Sequence, residues 1–210
     1  MNSRRPWYLF SQFILQFMCV GYFRIRLFFK ENVPLQGGLL FVSNHQSYLD
    51  PIFCTVGIAR EFHYLARDSL FVIPFFARLI RSLNAFPVGR DRQFKSSHST
   101  GSQFLTEGKA LVIFAEGTRT RNGKIQRFHP GAAKFAHRNQ IPLIPVYIHG
   151  AYQAYPKGIF FPFPRSVHVF YGKPIEVKEY ELLDVSQLTQ LLFERVSALE
   201  AQANVQIFSA

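Results

Sequence analysis

Short apolar runs that alternate with helix-like segments constrain the fold of this chain more than any other feature. Five such runs stand out, at Leu39–Ser43, Phe62–Arg67, Ala110–Ala115, residues 141–150 and residues 166–172. Mostly apolar runs of this length fit strands that are buried on both faces, as in a parallel sheet covered by helices. No internal repeat or low-complexity linker breaks the pattern. The sequence therefore predicts an α/β fold with a mainly parallel mixed sheet flanked by helices.

The segments between these runs predict helices. Helices are expected at about Leu49–Ile58, at residues 69–83, up to about Gly108, at residues 132–139 and at residues 185–203. Proline lacks the amide hydrogen that a helix interior requires, so Pro74 predicts an interruption of the second of these helices. Residues 84–88 are expected to form a connecting segment.

The N-terminal segment is strongly apolar and has basic residues at both ends. Its apolar part runs from Trp7 to Phe23, and arginines and lysines lie on either side of it. It is shorter than the roughly 20 apolar residues that a membrane-spanning helix needs. We predict that residues 1–30 form a helix in the bilayer interface, with its bases on anionic headgroups, and that residues 31–210 form the α/β domain. An ordinary buried helix is the alternative.

The charge of the chain indicates which partners it attracts. The formal net charge is +11, and 48% of the residues are hydrophobic. A basic protein attracts nucleic acid, anionic lipid surfaces or phosphorylated small molecules, and a high apolar content favours a lipid-related partner. Cys19 and Cys54 lie in neither a zinc-binding nor a disulfide pattern, so no metal site is expected and a reducing compartment is the default.

The stretch "NHQSYLD" follows the first predicted strand and places His45 five residues before Asp50. A histidine can take a proton from an attacking hydroxyl, and a carboxylate on its other ring nitrogen fixes the tautomer. The chain has no Gly-x-Ser-x-Gly elbow, and Cys54 has no activating context, so the attacking group is expected to belong to the substrate. The alternative is that both residues merely join a strand to a helix.

The stretch "EGTRTR" follows another predicted strand. Gly117 allows close backbone approach, Thr118 offers a hydroxyl, and Arg119 offers a guanidinium that can bind phosphate through forked hydrogen bonds. Glu116 is expected to hold the arginines of the loop in a salt bridge, whereas Arg121, Lys124 and Arg127 are expected to be solvated. Since ligands bind at the carboxyl ends of parallel strands, the two loops are predicted to form one site.

Taken in order, these motifs resemble those of the glycerolipid acyltransferase family, which includes 1-acylglycerol-3-phosphate acyltransferases. "NHQSYLD" resembles the first of four blocks, and "NAFPVGR", which ends at Arg90, resembles the second. "VIFAEGTRT" resembles the third block, and "IPLIPV" resembles the fourth. The resemblance covers about residues 39–150, and the ordered set is specific although no single block is. Ala115 stands where the third block usually has proline, which leaves the turn without that fixed φ angle.

The resemblance implies roles for individual residues. His45 would be the general base and Asp50 its orienting partner, while Arg90 and the turn from Glu116 through Gly117 and Thr118 to Arg119 would bind the phosphate of the acceptor. Two residues of the fourth block, Pro145 and Val146, would shape the acyl pocket or support the site. The family acts without a metal or other cofactor and without an acyl-enzyme. Residues 31–210 would then be an acyltransferase catalytic domain.

The resemblance also implies substrates and location. The acceptor would be a lysophospholipid, 1-acylglycerol-3-phosphate, whose acylation gives phosphatidic acid for phospholipid biosynthesis. The donor would be an acyl thioester, either acyl-CoA or acyl-carrier protein. Because these donors are cytoplasmic and the N-terminal segment has basic flanks, we expect the enzyme to lie on the cytoplasmic face of the membrane as a peripheral or monotopic protein.

Other functions remain open at this point. The acceptor could be another lysophospholipid, glycerol-3-phosphate or a lyso-amino-acid lipid, and a non-catalytic lipid-binding protein is a further alternative. Binding of nucleic acid, which the charge alone would permit, is not expected because it leaves the His45 and Asp50 motif and the apolar N-terminus unexplained.

Overall fold

A seven-stranded sheet forms the centre of the protein. The computed structural model describes residues 4–88 and 92–208. The strands are β1 Arg26–Phe28, β2 Leu39–Ser43, β3 Phe62–Arg67, β4 Ala85–Val88, β5 Ala110–Phe114, β6 Leu143–His149 and β7 His168–Tyr171. Their order across the sheet is β1-β7-β6-β2-β5-β3-β4, and the five strands from β6 to β4 are parallel. Because β7 runs antiparallel to β6 and parallel to β1, the sheet is mixed, as predicted.

Helices cover both faces of this sheet. They are α1 Arg4–Gly21, α2 Asp50–Phe53, α3 Pro74–Ser82, α4 Arg92–Thr106, α5 Gly131–Asn139, α6 Ala151–Ala154, α7 Val177–Tyr180 and α8 Val185–Phe208, with short 3₁₀ turns at Lys30–Asn32 and Asp68–Phe71. Leu40 and Val42 of β2 pack with residues of α5 and α8 on one face, whereas Leu39 and Phe41 pack toward α2 and α6 on the other. All four side chains are buried, which explains why β2 reads as an unbroken apolar run.

Several elements differ from the sequence prediction. The helix predicted at Leu49–Ile58 is only α2, because beyond Cys54 the chain continues as turns, in which the amides of Thr55 and Ile58 donate three residues back and only that of Val56 donates four residues back. Pro74 begins α3 rather than interrupting a helix, because the first residue of a helix needs no amide donor. Residues 84–88 contain the edge strand β4, and Arg26–Phe28 form β1, which was not predicted. Both strands are too short for a periodic signal.

Helix α1 places apolar side chains on the surface. It ends at Gly21, so it is shorter than the helix predicted over residues 1–30, whose last part contributes β1 to the sheet. Phe13 is 69% exposed and Phe17 is 77% exposed, whereas Cys19 is buried. This exposure does not fit the alternative of an ordinary buried helix. Among the described residues, no helix has the length and hydropathy required to span a bilayer.

Candidate functional site

Two loops meet at the carboxyl ends of neighbouring strands, as the sequence predicted. Strands β2 and β5 pair in parallel with Ser43 opposite Phe114, so the residues that follow each strand emerge side by side. The amide of His45 donates to Oε1 of Glu116 at 2.9 Å, and the amide of Thr120 donates to the carbonyl of His45 at 2.8 Å. The backbone of His45 is therefore fixed on both sides by the loop after β5.

The carboxylate of Asp50 orients the imidazole of His45. Nδ1 of His45 lies 2.8 Å from Oδ2 of Asp50, and the same oxygen accepts the amides of Gln46 at 2.5 Å and Ser47 at 2.7 Å. An oxygen that accepts from two amides acts as an acceptor toward the ring as well, so Nδ1 carries the proton and Nε2 keeps its lone pair. Asp50 is fully buried, whereas the side chain of His45 is 19% exposed and can be reached by a substrate.

Phe114 supports the imidazole from one face. Its ring is stacked on that of His45 with 4.2 Å between centroids and 18° between the planes. The contact fixes the orientation of the ring and excludes water from that side. Sequence reasoning missed this role because Phe114 reads as one more apolar strand residue, and its pairing with His45 depends on the order of the strands.

Glu116 does not hold the arginines of its loop, so that prediction is wrong. Its side chain is 2% exposed, Oε1 accepts the amide of His45, and Oε2 has no hydrogen-bond partner among the described residues. Burial raises the pKa of Glu116 to about 7; the hydrogen bond from the amide of His45 acts in the opposite direction, and the carboxylate of Asp50 adds to the rise. Glu116 is a residue that positions the first loop and does not face the solvent as a phosphate ligand would.

Arg119 lies against a residue of the first loop. Its guanidinium carbon is 3.3 Å from the centroid of the Tyr48 ring, a cation–π contact between the two motifs. Nη1 of Arg119 is buried and has no acceptor among the described residues. A buried guanidinium donor without an acceptor is costly, and an anionic ligand is the group that would satisfy it.

The turn that contains Gly117 and Thr118 is tight and exposed. Gly117 has φ +64°, in the left-handed region, and a Cβ there would lie 3.0 Å from Cδ2 of His129. Only glycine fits this position without strain. The Thr118 side chain is exposed, so its hydroxyl is accessible to a ligand. The amide of Ala115 donates to the carbonyl of Ser43 at 3.0 Å, a bond that a proline at this position could not make.

The remaining predicted cations divide into two groups. Arg121, Lys124 and Arg127 are exposed, as predicted for solvated residues. Arg90, the arginine of the second block, lies outside the described residues.

Polar residues that were not predicted connect the site to the rest of the fold. Asn44 donates from Nδ2 to the carbonyl of Ile148 at 3.0 Å and accepts its amide at 2.8 Å, which extends the pairing of β2 with β6. Gln46 donates to the carbonyl of Gly123 at 2.9 Å and accepts the amide of Tyr152 at 3.2 Å. Their partners are distant in sequence, so no local signal identifies them.

Neither an activated cysteine nor a metal cluster accompanies His45 and Asp50 within the described ranges. Burial, together with the carboxylate of Asp50, raises the pKa of the Cys54 thiol well above its ordinary value, so it remains protonated. Among residues 4–88 and 92–208, no three His, Cys, Asp or Glu side chains are grouped as metal ligands would be. Nε2 of His45, on the side of the ring away from Asp50, is available as a hydrogen-bond acceptor.

The mixed sheet and the hydrogen-bonded His45 and Asp50 suit an α/β enzyme that uses a histidine as a base. Comparison with known sequences identifies the family. The sequence model of the family described as Acyltransferase matches residues 24–149. The chain belongs to this family and is an acyltransferase, which confirms the resemblance of the four blocks.

Within the family, the chain is similar to proteins named 1-acyl-sn-glycerol-3-phosphate acyltransferase. The 1-acyl-sn-glycerol-3-phosphate acyltransferase of Bacillus subtilis (strain 168) is 29% identical over 182 residues, which are 84% of this chain and 88% of that protein. The protein of the same name from Borreliella burgdorferi is 26% identical over 169 residues, 80% of this chain and 68% of its own length.

A solved structure shares the fold. The crystal structure of the 1-acyl-sn-glycerophosphate (LPA) acyltransferase, PlsC, from Thermotoga maritima superposes with a TM-score of 0.78 at 24% identity, covering 96% of this chain and 83% of that chain. This likeness confirms the predicted α/β fold with its mainly parallel sheet and N-terminal helix.

Proposed function

We propose that this acyltransferase moves a fatty acyl group from an acyl thioester to the free hydroxyl of 1-acylglycerol-3-phosphate, giving phosphatidic acid. The names of the Bacillus and Borreliella relatives support this acceptor. The observation that carries the chemistry is the 2.8 Å contact between Nδ1 of His45 and Oδ2 of Asp50, because it leaves Nε2 of the ring as a base at the site.

The reaction then needs no group from the protein other than His45 to move a proton. Nε2 of His45 takes the proton of the acceptor hydroxyl as its oxygen attacks the thioester carbonyl, and Asp50 stabilises the imidazolium. The tetrahedral intermediate collapses, the C–S bond breaks, and the thiolate receives the proton from His45. The products are an ester and a free thiol, so the histidine returns to its starting state.

The acceptor phosphate is assigned to the turn at Gly117, Thr118 and Arg119. Nη1 of Arg119, which has no acceptor in the part of the chain that the structure describes, the exposed Thr118 hydroxyl and the close backbone at Gly117 all suit an anion. Binding the phosphate here would orient the acceptor hydroxyl relative to His45 and make the reaction effectively intramolecular. Arg90 is proposed as a further phosphate ligand on the strength of the second block alone.

The donor and the location complete the proposal. Acyl-CoA or acyl-carrier protein would supply the acyl group, and no cofactor is required. Helix α1, with its exposed apolar side chains, would hold the enzyme on an anionic membrane surface as a peripheral or monotopic protein of the cytoplasmic face.

Acyl transfer by the purified chain tests this function. The wild type and His45→Ala are compared with acyl-CoA or acyl-carrier protein as donor and with 1-acylglycerol-3-phosphate, lysophosphatidylcholine and glycerol-3-phosphate as competing acceptors. We expect turnover on 1-acylglycerol-3-phosphate that falls by at least about 100-fold in His45→Ala. A preference for another acceptor would contradict the proposed substrate. Equal turnover in both proteins would contradict the proposed role of His45 as the base.

A further inference from the structure

A second apolar segment lies beside α1 on the surface. Residues 159–163, here called the aromatic loop, connect α6 to β7 and have the sequence Ile-Phe-Phe-Pro-Phe. Phe160 is 84% exposed and Phe161 is 72% exposed. Side chains of this size are seldom left in water as a cluster unless a partner covers them.

Hydrogen bonds join the aromatic loop, and the proline that follows it, to residues just after α1. The hydroxyl of Tyr22 donates to the carbonyl of Pro162 at 2.8 Å, and the guanidinium of Arg24 donates to the carbonyl of Pro164 at 3.1 Å. The aromatic loop therefore lies beside the carboxyl end of α1, where Phe17 and Val20 are exposed, although 140 residues separate the bonded pairs. The loop and the exposed apolar residues of α1 are here called the apolar surface.

The charge around this surface identifies what covers it. Lys157, Arg165 and Arg24 are exposed beside the apolar residues. Neither residues 1–30 nor residues 150–175 contain an aspartate or a glutamate, although the chain has 13 acidic residues. An anionic bilayer offers both an apolar layer for the phenylalanines and negative headgroups for the cations. A second copy of the chain would instead bring the same positive charges together.

We propose that the aromatic loop is a membrane-insertion element that acts together with α1 on an anionic phospholipid bilayer. The loop is also connected to the site. The amide of Phe163 donates to the carbonyl of Ala154 in α6 at 2.7 Å, and Tyr155 contacts Tyr48 with 6.2 Å between ring centroids. Insertion of the loop fixes the distance between the bilayer surface and the first motif, so that a lipid acceptor is held at a set depth.

Vesicle flotation with the full-length chain tests the proposal. Vesicles of phosphatidylcholine with and without phosphatidylglycerol are mixed with the wild type, with Phe160→Ser/Phe161→Ser, and with the control Leu182→Ser/Val205→Ser. The control residues are 93% and 68% exposed and lie outside the surface. We expect the loop variant to partition about 10-fold or more weakly into the anionic vesicles, and the control to stay within about 2-fold of the wild type. Equal partitioning of all three proteins would overturn the proposal.

A fluorescence measurement separates insertion from a general loss of structure. Because the chain has one tryptophan, Trp7, a Phe161→Trp change in a Trp7→Phe background gives a single reporter on the loop. We expect its emission to shift to shorter wavelength on anionic vesicles and to be quenched by lipids brominated in their acyl chains. An unshifted, unquenched signal would overturn the proposal.

Sedimentation without lipid tests whether a second copy of the chain covers this surface instead of a bilayer. A wild-type dimer that the loop variant abolishes, with unchanged vesicle binding, would assign the surface to self-association and overturn the proposal. None of these measurements depends on turnover, so they remain informative if the proposed acceptor is wrong.

Discussion

The guanidinium carbon of Arg119 lies 3.3 Å from the centroid of the Tyr48 ring, which connects the two motifs through a cation–π contact. Arg119 follows β5 and Tyr48 follows β2, so the contact depends on the pairing of these strands. The ring holds the arginine in one orientation, which reduces the entropy lost when the guanidinium binds an anion.

Removal of the Tyr48 ring is therefore expected to weaken binding of the acceptor. In Tyr48→Leu, KM for 1-acylglycerol-3-phosphate should rise by about 2- to 5-fold with a smaller change in kcat, since the contact contributes roughly 0.5–1 kcal/mol. Tyr48→Phe keeps the ring and is the matched control, with KM close to that of the wild type. Steady-state kinetics over a range of acceptor concentrations measures both parameters. An unchanged KM in Tyr48→Leu would show that the ring does not position Arg119.

Loss of the Asp50 charge is expected to reduce kcat. Asp50→Asn keeps the size of the side chain but no longer fixes the tautomer of His45, so kcat should fall by about 100- to 10,000-fold with little change in KM. The control is Asp184→Asn, at the exposed start of α8, where asparagine caps a helix almost as well as aspartate. Retention of full kcat in Asp50→Asn, with the fold intact by circular dichroism, would contradict the orienting role.

Glu116 is expected to make stability depend on pH. Its pKa is raised from the ordinary value of 4.5 to about 7 in the folded protein, so the folded state binds this proton more tightly than the unfolded chain does. The stability that this group contributes is fully present below pH 4.5 and is lost as the pH rises through 7. Glu116→Gln removes this titration and keeps an oxygen for the amide of His45.

Urea unfolding of the two proteins between about pH 5 and pH 8 measures this effect. The free energy of unfolding of Glu116→Gln minus that of the wild type should increase with pH, by about 1 to 3 kcal/mol over the range. Glu181→Gln, at an exposed residue, is the control and should show a small difference at all pH values. If the difference in free energy of unfolding does not vary with pH, burial does not raise the pKa of Glu116.

A side chain at Gly117 is expected to strain the turn that precedes Arg119. Gly117→Ala would place a Cβ 3.0 Å from His129 at φ +64°, and it should lower the free energy of unfolding by about 1 to 2 kcal/mol. Gly131→Ala is the control, because a Cβ there meets no atom within 4 Å and Gly131 begins α5. Thermal unfolding of both variants gives the comparison. Equal melting temperatures would argue against strain at the turn.

The sequence predicted much of the fold because the central strands carry their own signal. The runs at β2, β5 and β6 are apolar except for Ser43 and His149 at their carboxyl ends, since helices cover both faces of the sheet, and each appears where it was predicted. The edge strands β1 and β4 were not predicted, because three or four residues give no periodic pattern and β4 contains Pro87. Their strand conformation comes from pairing with β7 and β3.

Several residues of the site were predicted, but most of their contacts were not. The spacing of His45 and Asp50, together with the ordered blocks of the family, was the basis for proposing that the carboxylate orients the ring, and Nδ1 of His45 lies 2.8 Å from Oδ2 of Asp50. The bond from the His45 amide to Glu116 joins residues 71 positions apart, and Glu116 was assigned instead to its neighbouring arginines. No local sequence pattern shows whether Glu116 bonds to the amide of His45 or to the arginines of its own loop.

The sequence by itself determined the class of fold, the central strands and the His45 and Asp50 pair, because each of these depends on residues close together in the chain. The tertiary structure decided that the amide of His45 bonds to Glu116, that Phe114 supports His45 and Tyr48 supports Arg119, and that the aromatic loop lies beside α1. These relationships depend on the order of strands in the sheet, and that order follows from packing of the whole core and not from any single segment.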